Sequence, residues 1–551
     1  MNRKWALLGA SLFCLTPVAA QEAVKPADYL VCDGYPAPRP KKSLKPGETQ
    51  PVWRGWGYQG TTTAKRVRGF NVVGVVACEK VLADPVLVPE FWQRRASLIQ
   101  ARALHELGEN SNDTAMKTLD EVEKLYADND KFGALPSVKL ANDALRAVAL
   151  YRAKKPKEAE AMLASIDARR PYAMSVRRMT SSVRMLFDSD RAKRMAQLRQ
   201  QAALNPQALR LMFILSMRQA DFDNALLYAD QLTFDLPRQR GGWTLRGEEG
   251  RRYEQISERA SLAGARAYAL LAVGRTEESA KQLAAARAEV ATAIEPPPPA
   301  PDGRKQSKKV TEDYSKRVAA GTQATAALDQ WSAAMAIRLR APKMTAKQLA
   351  EEKPTGEGTL VIADLLGQVK AADLAEAQQI GDTIEAIHKF GDAALTKALS
   401  LNFSGLVGML PLAEADGLGP KMRGEGSNLW RSNLDGWRVM DADDPALFNV
   451  RFGGTVASPA SLEEAALLVA ANHAASLGKD AFVIESAQMV KRSTTMYGMY
   501  YSGGTVDSGH EMRMLIRPLG YADADAKPRQ WRAFKVAEVR AALAGKYPVV
   551  E

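Results

Sequence analysis

The residues best suited to catalysis form one short cluster near the C-terminus, Asp507-Ser508-Gly509-His510-Glu511. A serine and a histidine two residues apart on a strand share a face, which is poor geometry for a base that must reach a nucleophile. Four histidines occur in the chain, and no H-E-x-x-H, G-x-S-x-G or P-loop motif accompanies them. We therefore predict no enzyme, no cofactor and no metal site, unless His510 meets an acid and a nucleophile in one cleft.

Three tyrosines lie just before this cluster, in a segment rich in Ser, Thr and Gly: Tyr497, Tyr500 and Tyr501. Tyrosine rings offer an apolar face and a polar tip, which suits contacts with sugars or with a peptide. We regard the three as candidate partner-binding residues. The alternative is a mobile loop without a ligand.

The N-terminus has the three parts of a secretory signal peptide. Arg3 and Lys4 provide positive charge, an apolar stretch extends to about Leu15, and Val18-Ala19-Ala20 places small residues before a cleavage site. We expect cleavage after Ala20 by the Sec route and a periplasmic or secreted mature protein. No later segment reaches the roughly 20 apolar residues of a membrane span, so no transmembrane segment is predicted.

Positive charge is concentrated in the middle of the chain. The formal net charge is +12, and nine basic residues stand between Arg169 and Arg199 against Asp188 and Asp190. The candidate partner-binding arginines are Arg169, Arg170, Arg177, Arg178, Arg184, Arg191 and Arg194. An exported protein meets little nucleic acid, so an acidic protein or an anionic envelope polymer fits this stretch better. The alternative is a set of solvated helix faces.

Two cysteines remain after the signal peptide, Cys32 and Cys78. An even pair in an oxidising compartment predicts one disulfide. It would close a loop of 46 residues, which is worth roughly 4 kcal/mol on the chain-entropy model. Within the loop, residues 70–76 form a valine-rich run that predicts one strand.

From about residue 91 to 290, alanine and leucine recur at three- and four-residue spacing, which indicates helices. One pattern repeats: a small or apolar residue, then steps of 12, 4 and 8. The copies begin at Ala103, Ala147, Thr180, Phe213 and Ala267. Small residues at the first two positions let two antiparallel helices approach closely, and Pro171 or Pro237 ends the second helix.

This pattern resembles the tetratricopeptide repeat, and three of the copies are spaced by 33 residues: Ala147, Thr180 and Phe213. The resemblance implies stacked helix pairs whose concave face holds a peptide or a helix of a partner protein. The family's large aromatic residue early in the first helix is mostly missing.

The last 125 residues or so alternate between strand and helix patterns. Residues 448–452 and 480–484 predict strands, as do residues 512–517, and a final helix spans roughly 534–543. Ser461 and Glu464 predict a capping box that opens a helix, and Gly478 ends that helix. Residues 448–454, 467–471 and 478–484 resemble small uncharacterised envelope lipoproteins of alphaproteobacteria, which implies an envelope location and no known activity.

The predicted fold is therefore mainly α: a tetratricopeptide-like helical solenoid with a disulfide-closed N-terminal extension and a small α+β C-terminal domain. The predicted domains are the signal peptide at residues 1–20, the extension with one strand at 21–88, the solenoid at 89–415 with a Pro-rich and basic loop at 295–310, and the α+β domain at 425–551.

Two functions remain open. The first is an envelope scaffold or adaptor that holds partner proteins in the solenoid. The alternative is a binding module for an anionic envelope polymer or glycan, which would use the basic solenoid face and the Tyr/Gly-rich loop. Binding to a polymer through basic residues should weaken as salt rises.

Overall fold

The structure, a computed structural model, describes most of the chain after the predicted signal peptide. The described residues are 24–38, 69–131, 133–187, 190–232, 246–299, 305–352, 358–371, 373–399, 403–411, 414, 419–424, 426–428, 431–433, 435–442, 444–455, 457–495 and 505–547. Residues 1–20, Pro237, Tyr497, Tyr500 and Tyr501 lie outside these ranges.

The chain divides into two compact units, with described residues up to Val122 in the first and from Glu123 onward in the second. The first unit contains α1 (Pro26–Cys32), α2 (Val72–Leu82), a 3₁₀ helix (Pro89–Phe91), α3 (Trp92–Gly108) and most of α4 (Asn112–Asn129). The domain boundaries proposed from the sequence, at residues 89 and 425, stay predictions.

The core of the first unit forms around a disulfide between Cys32 and Cys78, which confirms the predicted bond. Both cysteines are fully buried, and Tyr29, Val81 and Leu98 pack in the same cluster. Burial of the sulfur atoms among apolar groups places the cross-link inside the fold and not at its surface.

Residues 72–76 form the start of α2 and none of residues 70–76 lies in a strand, so the predicted strand is wrong. Asn71 caps this helix, because its side-chain oxygen accepts a hydrogen bond from the backbone N–H of Gly74 at 3.2 Å. The buried residues of α2 are Gly74, Ala77, Cys78 and Val81. Their spacing is that of one helix face, and it outweighs the weak and context-dependent strand preference of valine.

The second unit is mainly helical up to residue 409 and ends in a sheet. Its helices before the sheet are α5 (Leu135–Arg152), α6 (Pro156–Arg169), α7 (Met174–Phe187), α8 (Arg191–Ala202), α9 (Gln207–Arg218), α10 (Phe222–Ala229), α11 (Arg246–Ala272), α12 (Thr276–Ala293), α13 (Lys308–Arg340), a 3₁₀ helix (Ala341–Lys343), α14 (Ala346–Glu351), α15 (Gly358–Gln368), α16 (Leu374–Leu399) and α17 (Phe403–Met409). We call α5 to α17 the helical array.

Consecutive helices of the array pack in pairs, α5 with α6, α9 with α10 and α11 with α12. Ala147 and Ala159 are both fully buried in the first pair, as the repeat pattern predicts. In the α11–α12 pair the hydroxyl of Ser279 donates to the carbonyl of Ala267 at 2.6 Å. The copy at Thr180 differs, because Ala192 is exposed on α8. Membership of the tetratricopeptide family stays a prediction.

The sheet confirms the small α+β arrangement at the C-terminus. Its strands run antiparallel in the order β3-β4-β6-β5-β7, and a separate hairpin of β1 and β2 precedes them. The elements are β1 (Gly426–Asn428), β2 (Arg431–Asn433), β3 (Gly436–Asp441), β4 (Phe448–Gly454), α18 (Pro459–Ser476), β5 (Ala481–Thr495), β6 (Thr505–Leu519), a 3₁₀ helix (Ala524–Arg532), β7 (Phe534–Lys535) and α19 (Val536–Leu543).

Helix α18 packs against one face of this sheet and is buried along most of its length. Val450, Phe452, Met512 and Ile516 share its core, and Leu204 of the helical array joins them. The array and the sheet therefore share apolar packing within the second unit.

The predicted capping box at the start of α18 is wrong. The N-cap is Ser458, whose hydroxyl oxygen accepts from the backbone N–H of Ser461 at 3.1 Å, and Pro459 occupies the first helical position. This earlier start moves Glu463 and Glu464 into the second turn, where both side chains are buried. At the other end, Gly478 adopts a φ of +69° and ends the helix as predicted.

Candidate functional site: the α18 cleft

A cleft of about 470 Å³ lies where the first turns of α18 meet α7, the end of α17 and the paired strands β5 and β6. We call it the α18 cleft. Its volume is within the range of ligand-binding pockets in proteins, roughly 300–1,000 Å³. Residues of both the helical array and the sheet line this space.

Much of the wall of the α18 cleft is apolar. Three methionines contribute, Met174 from α7, Met409 from α17 and Met489 from β5, together with Leu410 and Pro459. Methionine side chains are unbranched and polarisable, and they adapt to differently shaped apolar partners. This wall therefore suits a partner whose side chains vary.

Polar groups converge on the same space from α7, α18 and β6. Glu463 is only 2% exposed, and its Oε2 accepts two hydrogen bonds from Ser175, one from the backbone N–H and one from the hydroxyl, both at 2.8 Å. Arg178 and His510 also line the cleft. The backbone and hydroxyl of Ser175 thus hold the Glu463 carboxyl in one orientation.

Burial raises the pKa of Glu463 to about 7, although the hydrogen bonds from Ser175 and the charges of Arg178 and Arg170 act to lower it. Both protonation states of this carboxyl are therefore populated near neutral pH. A carboxyl that changes charge at physiological pH inside a cleft is a common feature of functional sites.

The cleft brings His510, an acid and two serines together, yet their geometry is not that of a catalytic triad. The hydroxyl of Ser175 donates to Glu463 and not to a histidine. The hydroxyl of Ser458 is bonded to Glu414 and to the backbone of Ser461. Neither serine is hydrogen-bonded to a histidine that could act as a general base.

A buried ionic network joins α18 and the residues after α19 to the helical array. Arg170 donates from Nε to Glu464 at 2.9 Å and from Nη1 to Glu414 at 2.8 Å. Glu464 also accepts from the ammonium of Lys546 and from the hydroxyl of Tyr547, each at 2.7 Å. Burial acts to raise the pKa of Glu464, but the charges of Arg170 and Lys546 outweigh it and keep that pKa below its usual range.

A second buried network holds the start of β5 against the array. Arg532 donates to Glu485 at 2.6 Å and to the side chain of Gln231, which follows α10, at 2.8 Å. The side chains of Arg532 and Glu485 are both fully buried. Both networks therefore connect the helical array to the elements of the C-terminal sheet region.

The arginines predicted to bind a partner are mostly engaged within the chain. Arg169 pairs with Asp143, Arg170 with Glu464 and Glu414, Arg177 with Asp167, and Arg184 with Asp167 and Glu160. Arg194 is half-buried and has an interaction of its own. The side chain of Arg191 lies outside the described residues, as do Tyr497, Tyr500 and Tyr501.

Arg178 differs from these neighbours. It is exposed, it lines the α18 cleft, and it forms no ion pair or hydrogen bond with any residue that the structure describes. Of the predicted arginines whose side chains the structure describes, Arg178 is thus the one that lines the candidate site. The prediction of a partner-binding role remains open for it.

Sequence patterns did not single out Glu463, Met409 or Gly408 as site residues, although all three line the cleft. One local signal was present for Glu463: the Ser458-Pro459 pair marks an earlier helix start, which moves the acidic pair away from the exposed first turn. The residues of α17 carried no such signal, because their contribution depends on packing across the fold.

Comparison with protein-family models, with curated proteins and with solved structures finds no match to this chain. Among the described residues, no helix combines the length and apolar content of a membrane span. In the same part of the chain, no group of three or more His, Cys, Asp or Glu residues is arranged to hold a metal ion. Any functional proposal therefore depends on the geometry of the α18 cleft.

Proposed function

We propose that this protein is an exported envelope adaptor that holds a short, extended segment of a partner protein in the α18 cleft. The observation that carries the proposal is the lining of the cleft, an adaptable apolar wall of three methionines beside polar groups held in fixed orientations. Export is supported by the signal-peptide pattern and by the disulfide, because such bonds persist in oxidising compartments.

The polar lining matches a peptide backbone. Asn205, Gln207 and Gln488 face the cleft, and each amide side chain offers both a donor and an acceptor. An extended peptide presents alternating N–H and C=O groups that pair with such amides, while its side chains contact the methionines.

The edge of the sheet supports an extended conformation for the bound segment. Among the described residues, the only strand on the outer side of β5 is β7, and it pairs with Ala481 and Phe482 alone. Beyond Phe482 the outer edge of β5 has no strand partner in the described residues, and residues 487–489 of this strand line the cleft. Exposed strand edges bind peptides by strand addition.

Protein binding is favoured over binding of an anionic polymer because most of the basic stretch is already neutralised. Among the described side chains of this stretch, the ion pairs of Arg169, Arg170, Arg177 and Arg184 leave no continuous run of unpaired arginines. A binding role is also favoured over catalysis, because Ser175 donates to a carboxyl and not to a base.

A cleft-blocking variant tests the proposal. Gly408 on α17 is exposed, lines the cleft, and has nothing within 4 Å of the position where a Cβ atom would lie. Gly408→Trp should fill the cleft without disturbing the fold. Gly381→Trp is the matched control, because Gly381 is an exposed helical glycine with equally open surroundings on α16.

The assay is binding of a fluorescein-labelled hexapeptide library to the mature, oxidised protein. We expect peptides with apolar side chains to bind the wild type and Gly381→Trp equally, and to lose at least tenfold in affinity for Gly408→Trp. Equal binding to all three proteins, or no binding to the wild type, would contradict the proposal.

A further inference from the structure

One carboxyl oxygen of Glu463 accepts hydrogen bonds from the protein, and the other accepts none from the described residues. Oε2 accepts both bonds from Ser175, whereas Oε1 makes no hydrogen bond with the described residues. The side chain is 98% buried and borders the α18 cleft. Buried polar groups in folded proteins normally have a hydrogen-bond partner. Oε1 of Glu463 is not one of the fully enclosed side-chain atoms that lack a partner, so a ligand in the cleft can reach it and supply one.

Arg178 provides the second observation. It stands on α7 one helical turn after Ser175, lines the same cleft, and forms no ion pair among the described residues. Its positive charge acts on Glu463. An arginine that faces a cleft without a carboxylate partner is suited to bind an anion through two parallel N–H groups.

The two groups favour the same ligand chemistry. A cationic ligand would be repelled by Arg178, whereas a carboxylate would be attracted by it. A protonated Glu463 carries an O–H that can donate to that carboxylate. We propose that the α18 cleft anchors a carboxylate of the bound segment between the guanidinium of Arg178 and the protonated carboxyl of Glu463. This inference rests on the peptide-binding function proposed above.

Other charged groups around Glu463 do not provide the same contact. Arg170 acts on Glu463 through its charge, but its Nε and Nη1 donate to Glu464 and Glu414, and it does not line the cleft. His510 faces the cleft from β6 and already has an interaction of its own. His510 is therefore the group whose titration must be separated from that of Glu463.

Binding should be linked to protonation. The pKa of Glu463 is about 7 without ligand, so the donor form predominates below pH 7 and the carboxylate above it. Since the bound carboxylate requires the donor form, the affinity should fall about tenfold for each pH unit above 7. Below pH 7 the affinity should be nearly constant.

The probes are hexapeptides that contain Glu at one position, their Gln counterparts, and both sets with a free or an amidated C-terminus. Dissociation constants are measured from pH 6.0 to 8.5 with the oxidised mature protein. The Glu and Gln pair tests for an acidic side chain, and the free and amidated pair tests for a terminal carboxylate. One of the two carboxylates should strengthen binding by about 10- to 100-fold at pH 6.5.

Two variants separate the roles of the two residues. Glu463→Gln keeps an oxygen for Ser175 and a donor for the ligand but cannot ionise, so its binding should stay strong and become independent of pH. Arg178→Gln should lose about 10- to 100-fold in affinity for the acidic probe and bind the neutral probe as before. Glu538→Gln and Arg540→Gln, exposed on α19, are the matched controls.

The outcomes distinguish this inference from the function on which it rests. Equal affinity for acidic and neutral probes, or a pH slope that persists in Glu463→Gln, would overturn the carboxylate anchor. The latter result would assign the slope to His510. If Gly408→Trp still abolished binding in either case, the peptide-binding function would stand without the anchor.

Discussion

Arg169 and Arg170 are adjacent in sequence, but their environments predict losses of stability of very different size for the same substitution. The side chain of Arg170 is 11% exposed and bonds to Glu464, whose side chain is 1% exposed. Arg170→Met removes the cation and leaves that carboxylate buried, which costs about 3–5 kcal/mol for a typical buried pair. We expect the lower end of this range, because Lys546 and Tyr547 still bond to Oε2 of Glu464.

Arg169→Met is the control. The side chain of Arg169 is 37% exposed and pairs with Asp143 at 2.5 Å, and an ion pair at the surface contributes about 0–1 kcal/mol. Hydrogen exchange of α18 measures the local free energy of opening in each variant. A loss below 1 kcal/mol in Arg170→Met, equal to that in Arg169→Met, would refute the idea that a buried pair joins the sheet to the array.

A rescue experiment sharpens this test. Adding Glu464→Gln to Arg170→Met removes the uncompensated charge, so part of the lost protection of α18 should return. In the wild type, the pKa of Glu464 is lower in the folded state than in the unfolded state, where it is about 4.5. The charged carboxylate therefore stabilises the fold at pH values above 4.5, and this contribution is lost as the pH falls through the pKa of the folded state. The defect of Arg170→Met should therefore shrink in acid, where Glu464 is protonated.

Three further predictions concern the first unit. Gly74→Ala should destabilise α2 by about 1–3 kcal/mol, because the added Cβ would collide with the ring of His105. Gly381→Ala on α16 is the control, since its Cβ meets open space and the change should be neutral or stabilising. Hydrogen exchange of α2 and of α16 measures the two effects. The Nδ1 atom of His105 accepts a hydrogen bond from the backbone N–H of Asn71, and its Nε2 atom contacts the carbonyl of Cys32. Burial lowers the pKa of His105, so an NMR titration should show a neutral ring at pH 7 and a pKa below 6.5. Protonation then costs stability as pH falls below about 6.5, the unfolded value. Replacing Cys32 and Cys78 with serine should lower the free energy of unfolding by roughly 4 kcal/mol, measured by denaturant titration against the oxidised wild type; no change would contradict a stabilising disulfide.

Local patterns predicted much of the fold. The disulfide followed from two cysteines in a chain predicted to be exported. Three of the five strands of the sheet, β4, β5 and β6, followed from the strand patterns between about residues 448 and 517, whereas β3 and β7 were not predicted. The error at residues 70–76 arose because valine is common in strands, whereas the spacing of Gly74, Ala77, Cys78 and Val81 continued as a helix face beyond the run.

The candidate site was largely beyond such patterns. Arg170 and Glu464 are separated by 294 residues, so the sequence could not show that an arginine of the basic stretch would pair with α18. The cleft combines residues from Met174 to His510, and no local motif contains them. The raised pKa of Glu463 likewise depends on burial, which only the folded chain determines.

The most direct test of the account is methyl NMR of the methionines during peptide titration. Met174, Met409 and Met489 line the α18 cleft, whereas Met344 packs in the separate core of the helical array. With the tightest hexapeptide from the library, we predict shifts of the three cleft methyl signals and none for Met344, and loss of these shifts in Gly408→Trp. Shifts at Met344 with unchanged cleft methionines would contradict a partner segment bound in the α18 cleft.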